Sequence, residues 1–409
     1  MLKRKTIAAV LAGACLLGTL CMSHAETAPL LEGTDHTAIE KVTDYLYEVT
    51  YDGYEKYEEP AQAFFSEVYR TGAVACSSVQ NGRIRGRNYD WYLNDNPALI
   101  VHVPAAEGRH ASIGVARTKG LNCEALEQNQ DAAVLELLPY GTLDGINDAG
   151  LCLNLNVVTA GEMGAFEFKT DDPSDDLHPM MIIRLALDRC GSVQEVLDMI
   201  AAMDVYPIND EFEAHLMISG KTSPEDETYK VVVVEFIPDE AHHYQMNVID
   251  EFVDGKAVMT NFHLTGFDGS VETLTPHAMG FERWQELVRC YDQGSDVPGM
   301  ITLMKKAYFT RSYDLYNDNF WYTEFSKGDL TVSNRGEAQL NGDLSKAGDY
   351  RETIEKEIAV AKKGDRTAET DKSWQTVHMS VYDTEALELT VVPQEGSLGF
   401  KFDLAGRIG

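Results

Sequence analysis

Short runs of alternating apolar and polar residues recur along most of the chain, separated by turn residues. Two such runs flank Asn81-Gly82, a dipeptide that strongly favours a two-residue hairpin. The first is Ala73-Val74-Ala75-Cys76-Ser77-Ser78-Val79-Gln80, and the second is Arg83-Ile84-Arg85-Gly86-Arg87-Asn88-Tyr89-Asp90-Trp91. With Asn81-Gly82 as the turn, Gln80 pairs with Arg83 and Cys76 stands opposite Arg87 on one face of the ribbon. Further strands are expected over 98–103, 110–115, 133–138, 150–158, 215–219, 230–236, 245–250, 256–261, 374–382, 387–392 and 400–404. Helical spacing marks 36–51, through Ile39, Val42, Leu46 and Val49, and then 61–69, 179–190, 277–291 and 298–307. A helix over 193–203 has Ser192 as its cap with Glu195 three residues on. Many strands with a helical block among them predict an α+β class built on antiparallel sheets. There is no internal repeat and no low-complexity run.

The first residues read as a targeting segment. Met1-Leu2-Lys3-Arg4-Lys5 is basic, Ile7 to Cys21 is apolar but short for a bilayer span, and Ser23-His24-Ala25 has the small-x-small form of a cleavage site. Export with removal of residues 1–25 is expected. Lipid attachment at Cys15, after Leu11-Ala12-Gly13-Ala14, is the alternative. Residues 26–75 are acidic and rich in tyrosine and read as a separate segment before the hairpin, either a first subdomain or a removable pro-segment. No later stretch is long and apolar enough to cross a membrane, so no stable membrane insertion is expected.

Composition narrows the partners. A formal charge of −32 disfavours nucleic acid and anionic membrane surfaces. The 409 residues hold one large domain or two ordinary ones. Oligomeric state is left open, a homo-oligomer included. Once residues 1–25 are gone, Cys76, Cys123, Cys152, Cys190 and Cys290 remain, an odd number that suggests a free thiol. The other four are either paired or simply buried. Their spacings do not resemble a zinc site, and no metal or organic cofactor is expected. The acidic stretch at 171–178 reads as a solvated loop in preference to a calcium site.

Cys76 is the residue with chemistry to offer. A cysteine nucleophile borrows a histidine as base, or it uses its own α-amine once the chain is cut before it. A free α-amine has a pKa near ~8 and suits that task near neutral pH. No histidine is near Cys76 in sequence, small residues precede it, and a guanidinium across the hairpin favours the thiolate. Cutting between Ala75 and Cys76 is therefore the favoured route.

At this point the chain resembles the choloylglycine hydrolase family, linear-amide C–N hydrolases with an N-terminal cysteine. That family includes bile salt hydrolases, penicillin V acylases and, more distantly, N-acylethanolamine acid amidase. The resemblance rests on Cys76 followed by Gly86-Arg87-Asn88-Tyr89-Asp90, on Asn147-Asp148-Ala149-Gly150-Leu151, and on Val258-Met259-Thr260-Asn261. Arg283 in Gly280-Phe281-Glu282-Arg283-Trp284 and the closing Met379-Ser380-Val381-Tyr382-Asp383 complete it. These pieces span most of 76–395 in the family's order.

The resemblance implies an N-terminal nucleophile hydrolase over 76–409, an αββα sandwich of two stacked antiparallel sheets between helical layers. It implies Cys76 as nucleophile and its α-amine as base, with Arg87 beside the sulfur and Asp90 holding the amine. Asn261 would donate to the oxyanion and Arg283 would orient the cluster. A second donor follows the Asn-Asp-Ala-Gly-Leu segment; the match is off by one, so Asn154 and Asn156 compete and Asn156 is preferred. The substrate would be a small linear N-acyl amide with an apolar acyl part, for which the aromatic stretch around Trp321 and Tyr322 is a candidate. About fifty residues between residue 25 and Cys76 set this chain apart from bile salt hydrolases whose cysteine directly follows the first methionine, and imply autocatalytic removal of 26–75. Two rival readings are a non-catalytic binding or structural homologue that never exposes Cys76, and a cysteine peptidase using a distant histidine.

Taken singly, these residues have plainer roles. Arg87 is one of three arginines on a strand face, Asn261 is a strand-end cap, and His263 is structural or lines a pocket. Asp90 poses a geometric difficulty, since strict alternation puts it on the face opposite Arg87.

Overall fold

The strand runs build two large sheets in the computed structural model. It describes residues 35–404 apart from 69–74, 93–96, 119–120, 160–165, 173, 209–211, 271–272, 275–279, 308–324, 328–329, 333–337, 341–373 and 394–398. The N-terminal targeting reading and the Trp321–Tyr322 stretch lie outside the described residues.

In chain order the strands are β1 (Glu40–Thr43), β2 (Leu46–Thr50), β3 (Ala75–Asn81), β4 (Ile84–Tyr92), β5 (Ala98–Val103), β6 (Ser112–Arg117), β7 (Thr142–Asn147) and β8 (Cys152–Thr159). They continue with β9 (Asp176–Leu177), β10 (Asp204–Val205), β11 (Phe212–Lys221), β12 (Tyr229–Pro238), β13 (Tyr244–Ile249) and β14 (Ala257–Met259). The last are β15 (Phe325–Lys327), β16 (Leu330–Val332), β17 (Ala338–Leu340), β18 (Trp374–Asp383), β19 (Glu388–Val392) and β20 (Phe400–Asp403). The helices are α1 (Glu58–Val68), α2 (Cys123–Glu127), α3 (Ala132–Leu135), α4 (Pro179–Arg189), α5 (Val193–Ala201), α6 (Phe281–Cys290) and α7 (Val297–Met304).

One sheet has nine strands in the order β1-β2-β5-β6-β7-β8-β11-β12-β13, and the other has six in the order β14-β3-β4-β18-β19-β20. Pairing is antiparallel throughout both, except for the parallel β2–β5 pair. The sheets stack because their strands bury both faces. Ile100, Ile113 and Ile146 of the larger sheet pack against Tyr382, Leu389 and Val391 of the smaller. On the outer face of the larger sheet, α4 buries its apolar residues from Met180 to Leu187 against the strands. On the outer face of the smaller sheet, Val79 and Val381 pack under Leu287 of α6 and Met300 and Leu303 of α7. The layers therefore run helix, sheet, sheet, helix, the α+β sandwich expected. Gly86 permits the approach of α7 to β4, since a Cβ there would lie 2.7 Å from atoms of both Met300 and Met304.

Two element types differ from the expectation. The helix over 36–51 is instead the hairpin of β1 and β2, turning where Tyr45 takes a left-handed φ of +63°. The stretch is rich in tyrosine, threonine and valine, which suit a pleated surface, and β2 completes the sheet by pairing Leu46–Thr50 with Ala98–His102. The strand over 133–138 is instead α3 and a 3₁₀ turn, because a short apolar run of alanine, leucine and glutamate carries no period that separates strand from helix. Cys76, Cys123, Cys152, Cys190 and Cys290 are all free thiols, which closes the paired alternative. No helix among the described residues is long and apolar enough to cross a membrane.

Candidate active site

The hairpin sets the geometry of the site, in a register different from the expected one. Asn81 pairs with Ile84, so the turn is Gly82-Arg83, and Cys76 lies opposite Tyr89 while Arg87 lies opposite Ser78. The turn starts one residue later than expected, which slides the pairing by two positions. An even shift preserves the face. Arg87 thus still shares the inter-sheet face with Cys76, now on the diagonal.

Arg87 Nη2 is 3.5 Å from Cys76 Sγ and donates to the Leu155 carbonyl at 2.9 Å. Its Nη1 donates to Asp144 Oδ2 at 2.6 Å, and both side chains are fully buried. Tyr382 Oη also donates to Asp144. Asp144 is thus the counter-ion of the arginine beside the sulfur. The sequence reading missed it, although a carboxylate inside the apolar strand Leu143-Asp144-Gly145-Ile146 was the available signal.

The thiol of the intact chain does not favour ionisation, contrary to expectation. Burial pushes the Cys76 pKa up, Arg87 and then Arg283 draw it down, the Asp90 carboxylate raises it, and the Asp90 backbone amide lowers it; the net shift is upward. Desolvation of a sulfur that is 1% exposed outweighs one guanidinium that is already paired with Asp144.

Around the Cys76 main chain the groups converge. Cys76 N donates to Asn261 Oδ1 at 2.8 Å. Arg283 Nη1 donates to the Cys76 carbonyl at 2.5 Å, and its Nη2 donates to Asn261 Oδ1 at 2.7 Å. Arg283 comes from the first turn of α6. Gly280 precedes that turn at φ +78°, and a Cβ there would sit 2.4 Å from the Arg283 guanidinium. Asn261 Nδ2 donates to the Val157 carbonyl at 2.6 Å, which ties the end of β14 to β8 across the two sheets.

Asp90 obeys the alternation. It lies opposite Ala75, with Arg283 Nη1 3.6 Å from its Oδ2 and Thr376 Oγ1 donating to its Oδ1 at 2.6 Å. An irregularity in β18 between Thr376 and His378 falls where β4 carries Asp90 and Tyr89. Asp90 thus approaches from the helical side, where Arg283 joins it to the Cys76 carbonyl.

Asn156 is placed by β8 rather than by Cys76. Ser78 Oγ donates to its Oδ1 at 3.2 Å, and its Nδ2 donates to the carbonyls of Met259 and Thr260 at 3.4 and 3.2 Å. Asn154 Oδ1 accepts from Arg85, and its Nδ2 donates to Ser78 at 2.9 Å. Of the two asparagines, Asn156 is bonded to the backbone leading into Asn261.

Histidines lie to the side. His215 Nε2 is 2.9 Å from the Thr260 carbonyl. His263 sits between Glu213 at 3.2 Å and Glu235 at 3.5 Å; burial pushes its pKa down, but its hydrogen bonds to the two carboxylates prevail and raise it to about 10. His378 is fully buried opposite Tyr89, and burial lowers its pKa to about 4. Among the described residues no histidine bonds to the Cys76 sulfur, and no group of side chains could hold a metal ion.

Chemically, the cluster offers a buried sulfur beside one cation, and a second cation and an amide oxygen fixed on the main chain of the same residue. No family model matches the chain, and no curated protein matches it. Among solved structures it is similar to two variants of the conjugated bile acid hydrolase from Clostridium perfringens, at 14% identity and TM-scores of 0.37 and 0.38, over 82% of this chain and 94% of theirs. It is also similar to penicillin V acylase from Agrobacterium tumefaciens, at 13% identity and a TM-score of 0.37, over 81% of this chain and 86% of that one.

Proposed function

We propose that this chain is an exported hydrolase of linear N-acyl amides that first cuts itself between Ala75 and Cys76. The observation that carries the reading is the treatment of Cys76. Its sulfur faces Arg87, its carbonyl accepts from Arg283, and its nitrogen is held by Asn261. A merely structural cysteine needs no partners on its main chain beyond the sheet ladder. A residue whose nitrogen becomes the catalytic base does.

In the first event Cys76 Sγ attacks the Ala75 carbonyl carbon, the Ala75–Cys76 amide breaks as its nitrogen takes the thiol proton, and a thioester forms. Water hydrolyses the thioester, which leaves a carboxylate on Ala75 and a free thiol and α-amine on Cys76. Loss of Ala75 from the strand opens the position opposite Asp90. The new α-amine, one residue along, then has a carboxylate within reach without any change of face by Asp90.

In each turnover the amine takes the thiol proton and sulfur attacks the acyl carbon. Side-chain amides of Asn156 and Asn261 receive the oxyanion, a contribution of about 3 kcal/mol for one good donor. For Asn261 this requires its Nδ2 to exchange the Val157 carbonyl for the substrate, and for Asn156 it requires Nδ2 to release the Met259 or the Thr260 carbonyl. The protonated amine returns its proton to the leaving nitrogen, and water resolves the acyl-enzyme. No step calls for a metal or an organic cofactor.

N-terminal sequencing and intact mass of the exported protein test the reading. A chain beginning at Cys76, with hydrolysis of N-acyl amides that Cys76→Ala abolishes, is expected. A stable chain that retains the Ala75–Cys76 bond and has no thiol-dependent hydrolysis would overturn it in favour of a non-catalytic homologue. Conjugated bile salts, penicillin V, N-acyl amino acids and N-acyl ethanolamides form the substrate panel.

A further inference from the structure

Arg85 lies two residues before Arg87 on the same face of β4 and is fully buried between the sheets. Its partners are all neutral. Nε donates to Gln80 Oε1 at 2.6 Å, Nη1 to Asn154 Oδ1 at 2.9 Å and to the Met217 carbonyl at 2.7 Å, and Nη2 to Ser219 Oγ at 2.7 Å. Among the described residues no carboxylate pairs with it. A buried cation held only by dipoles is expensive, and it orients every dipole it touches.

The orientation propagates. A guanidinium only donates, so Asn154 must present Oδ1 to Arg85 and Nδ2 to the other side. That Nδ2 donates to Ser78 Oγ at 2.9 Å and reaches Asn156 Oδ1 at 3.3 Å. The Ser78 hydroxyl, having accepted, donates to Asn156 Oδ1 at 3.2 Å. Asn156 must then aim Nδ2 at the Met259 and Thr260 carbonyls, where only a donor is tolerated. Both ends of the relay agree on one direction.

We infer that Arg85 is a positioning residue that fixes the amide direction of Asn156, through Asn154 and Ser78, so that its N–H groups rather than its carbonyl point to the Met259 and Thr260 carbonyls beside Asn261, from where one N–H would turn to the oxyanion. This rests on the hydrolase reading for its catalytic meaning, while the amide direction stands apart from it. It also separates the two asparagines: Asn154 is committed to the relay at both ends, and Asn156 is the terminal donor.

The test compares the full-length parent with Asn154→Asp and Ser78→Ala. A carboxylate at 154 keeps Arg85 paired but has no hydrogen to give. It would capture the Ser78 hydroxyl and leave Asn156 Oδ1 without a donor, so the amide is held only by its two long bonds to the Met259 and Thr260 carbonyls. Hydrolysis of an N-acyl p-nitroanilide series is expected to lose at least about tenfold in kcat with Asn154→Asp, with KM within about threefold and Tm close to the parent's. Ser78→Ala leaves only the 3.3 Å contact and falls between the two. A structural defect would lower Tm along with activity, which separates the roles. Asn154→Asp within about twofold of the parent in kcat would overturn the inference. Neutron diffraction on Cys76→Ala crystals reads the relay without activity. Asn156 deuterons facing the Met259 and Thr260 carbonyls are expected, and deuterons facing Ser78 overturn it. If the parent shows no thiol-dependent hydrolysis, the hydrolase reading falls and the neutron map alone decides the direction.

Discussion

Cutting the chain between residues 68 and 75 should not release the segment before the cut. The described part of that segment is built into the larger sheet. β2 runs parallel to β5 over five register pairs, from Leu46–Ala98 to Thr50–His102. Leu46, Tyr47, Val49, Tyr51, Tyr54 and Phe65 are each no more than 2% exposed. At ~1.5–3 kcal/mol for each large apolar side chain buried, these six contribute roughly 9–18 kcal/mol of gross burial. Tyr51 Oη donates to the Leu135 carbonyl at 2.6 Å and Tyr54 Oη to Asp188 Oδ2 at 2.6 Å, each across the cut. Arg109 grips Asp52 and Glu55, and Arg189 grips Glu58. Association of two pieces costs about 4–15 kcal/mol, so burial with the strand ladder is enough to hold them.

A protease site placed within 69–74 supplies the cut whether or not the chain cleaves itself. Size-exclusion chromatography with intact mass should show both pieces co-eluting at 0.15 M and at 1 M salt, because salt screens the arginine pairs but not the apolar contacts. Tyr54→Ala removes a buried ring and one hydrogen bond, about 3–5 kcal/mol, and should make the complex dissociate at a lower denaturant concentration. A larger piece eluting alone under native conditions, still folded and without the fragment, would refute the reasoning.

Cys76→Ala should give an unprocessed chain by intact mass with an unchanged fold, since one thiol is replaced by a smaller apolar group. Arg87→Met should leave Asp144 buried without its cation, which destabilises by about 3–5 kcal/mol in denaturant titration, and should slow alkylation of Cys76 by iodoacetamide at every pH below the thiol's pKa. Arg283→Lys should slow the appearance of the new N-terminus at Cys76, because a single ammonium cannot span the Cys76 carbonyl and Asn261 Oδ1 in the planar way a guanidinium does. His263, with its pKa raised to about 10, contributes stability that is fully present below pH ~6.5 and is lost as pH rises through about 10. His263→Gln should therefore flatten the alkaline side of the stability profile; an unchanged alkaline profile would sink the Glu213–His263–Glu235 pairing.

What the sequence made legible was periodicity and parity. Alternation over 150–158 placed β8, the Ser192 cap placed the start of α5, and the face shared by Cys76 and Arg87 survived a register error because the error was even. A slip of one would have sent the guanidinium to the helical side and dissolved the site. What it hid falls into two kinds. Partners distant in sequence, such as Asp144 under Arg87, leave only a local oddity, since a carboxylate in an apolar strand becomes intelligible only when the cation that neutralises it is known. Competing periods hid β1 and β2, where residues at helical spacing are also residues that prefer strands, and the choice was made by the open edge of β5. The Asp90 difficulty belonged to neither kind. It arose from treating the amine as a side chain that must share a face, whereas Cys76 N lies in the plane of the sheet at the position next to Ala75, which Asp90 opposes. On the proposed reading, a strand that begins at its own nucleophile would take a base-holding carboxylate from the far face, and the same alternation that seemed to exclude Asp90 is what leaves the inter-sheet face to Arg87 and the sulfur.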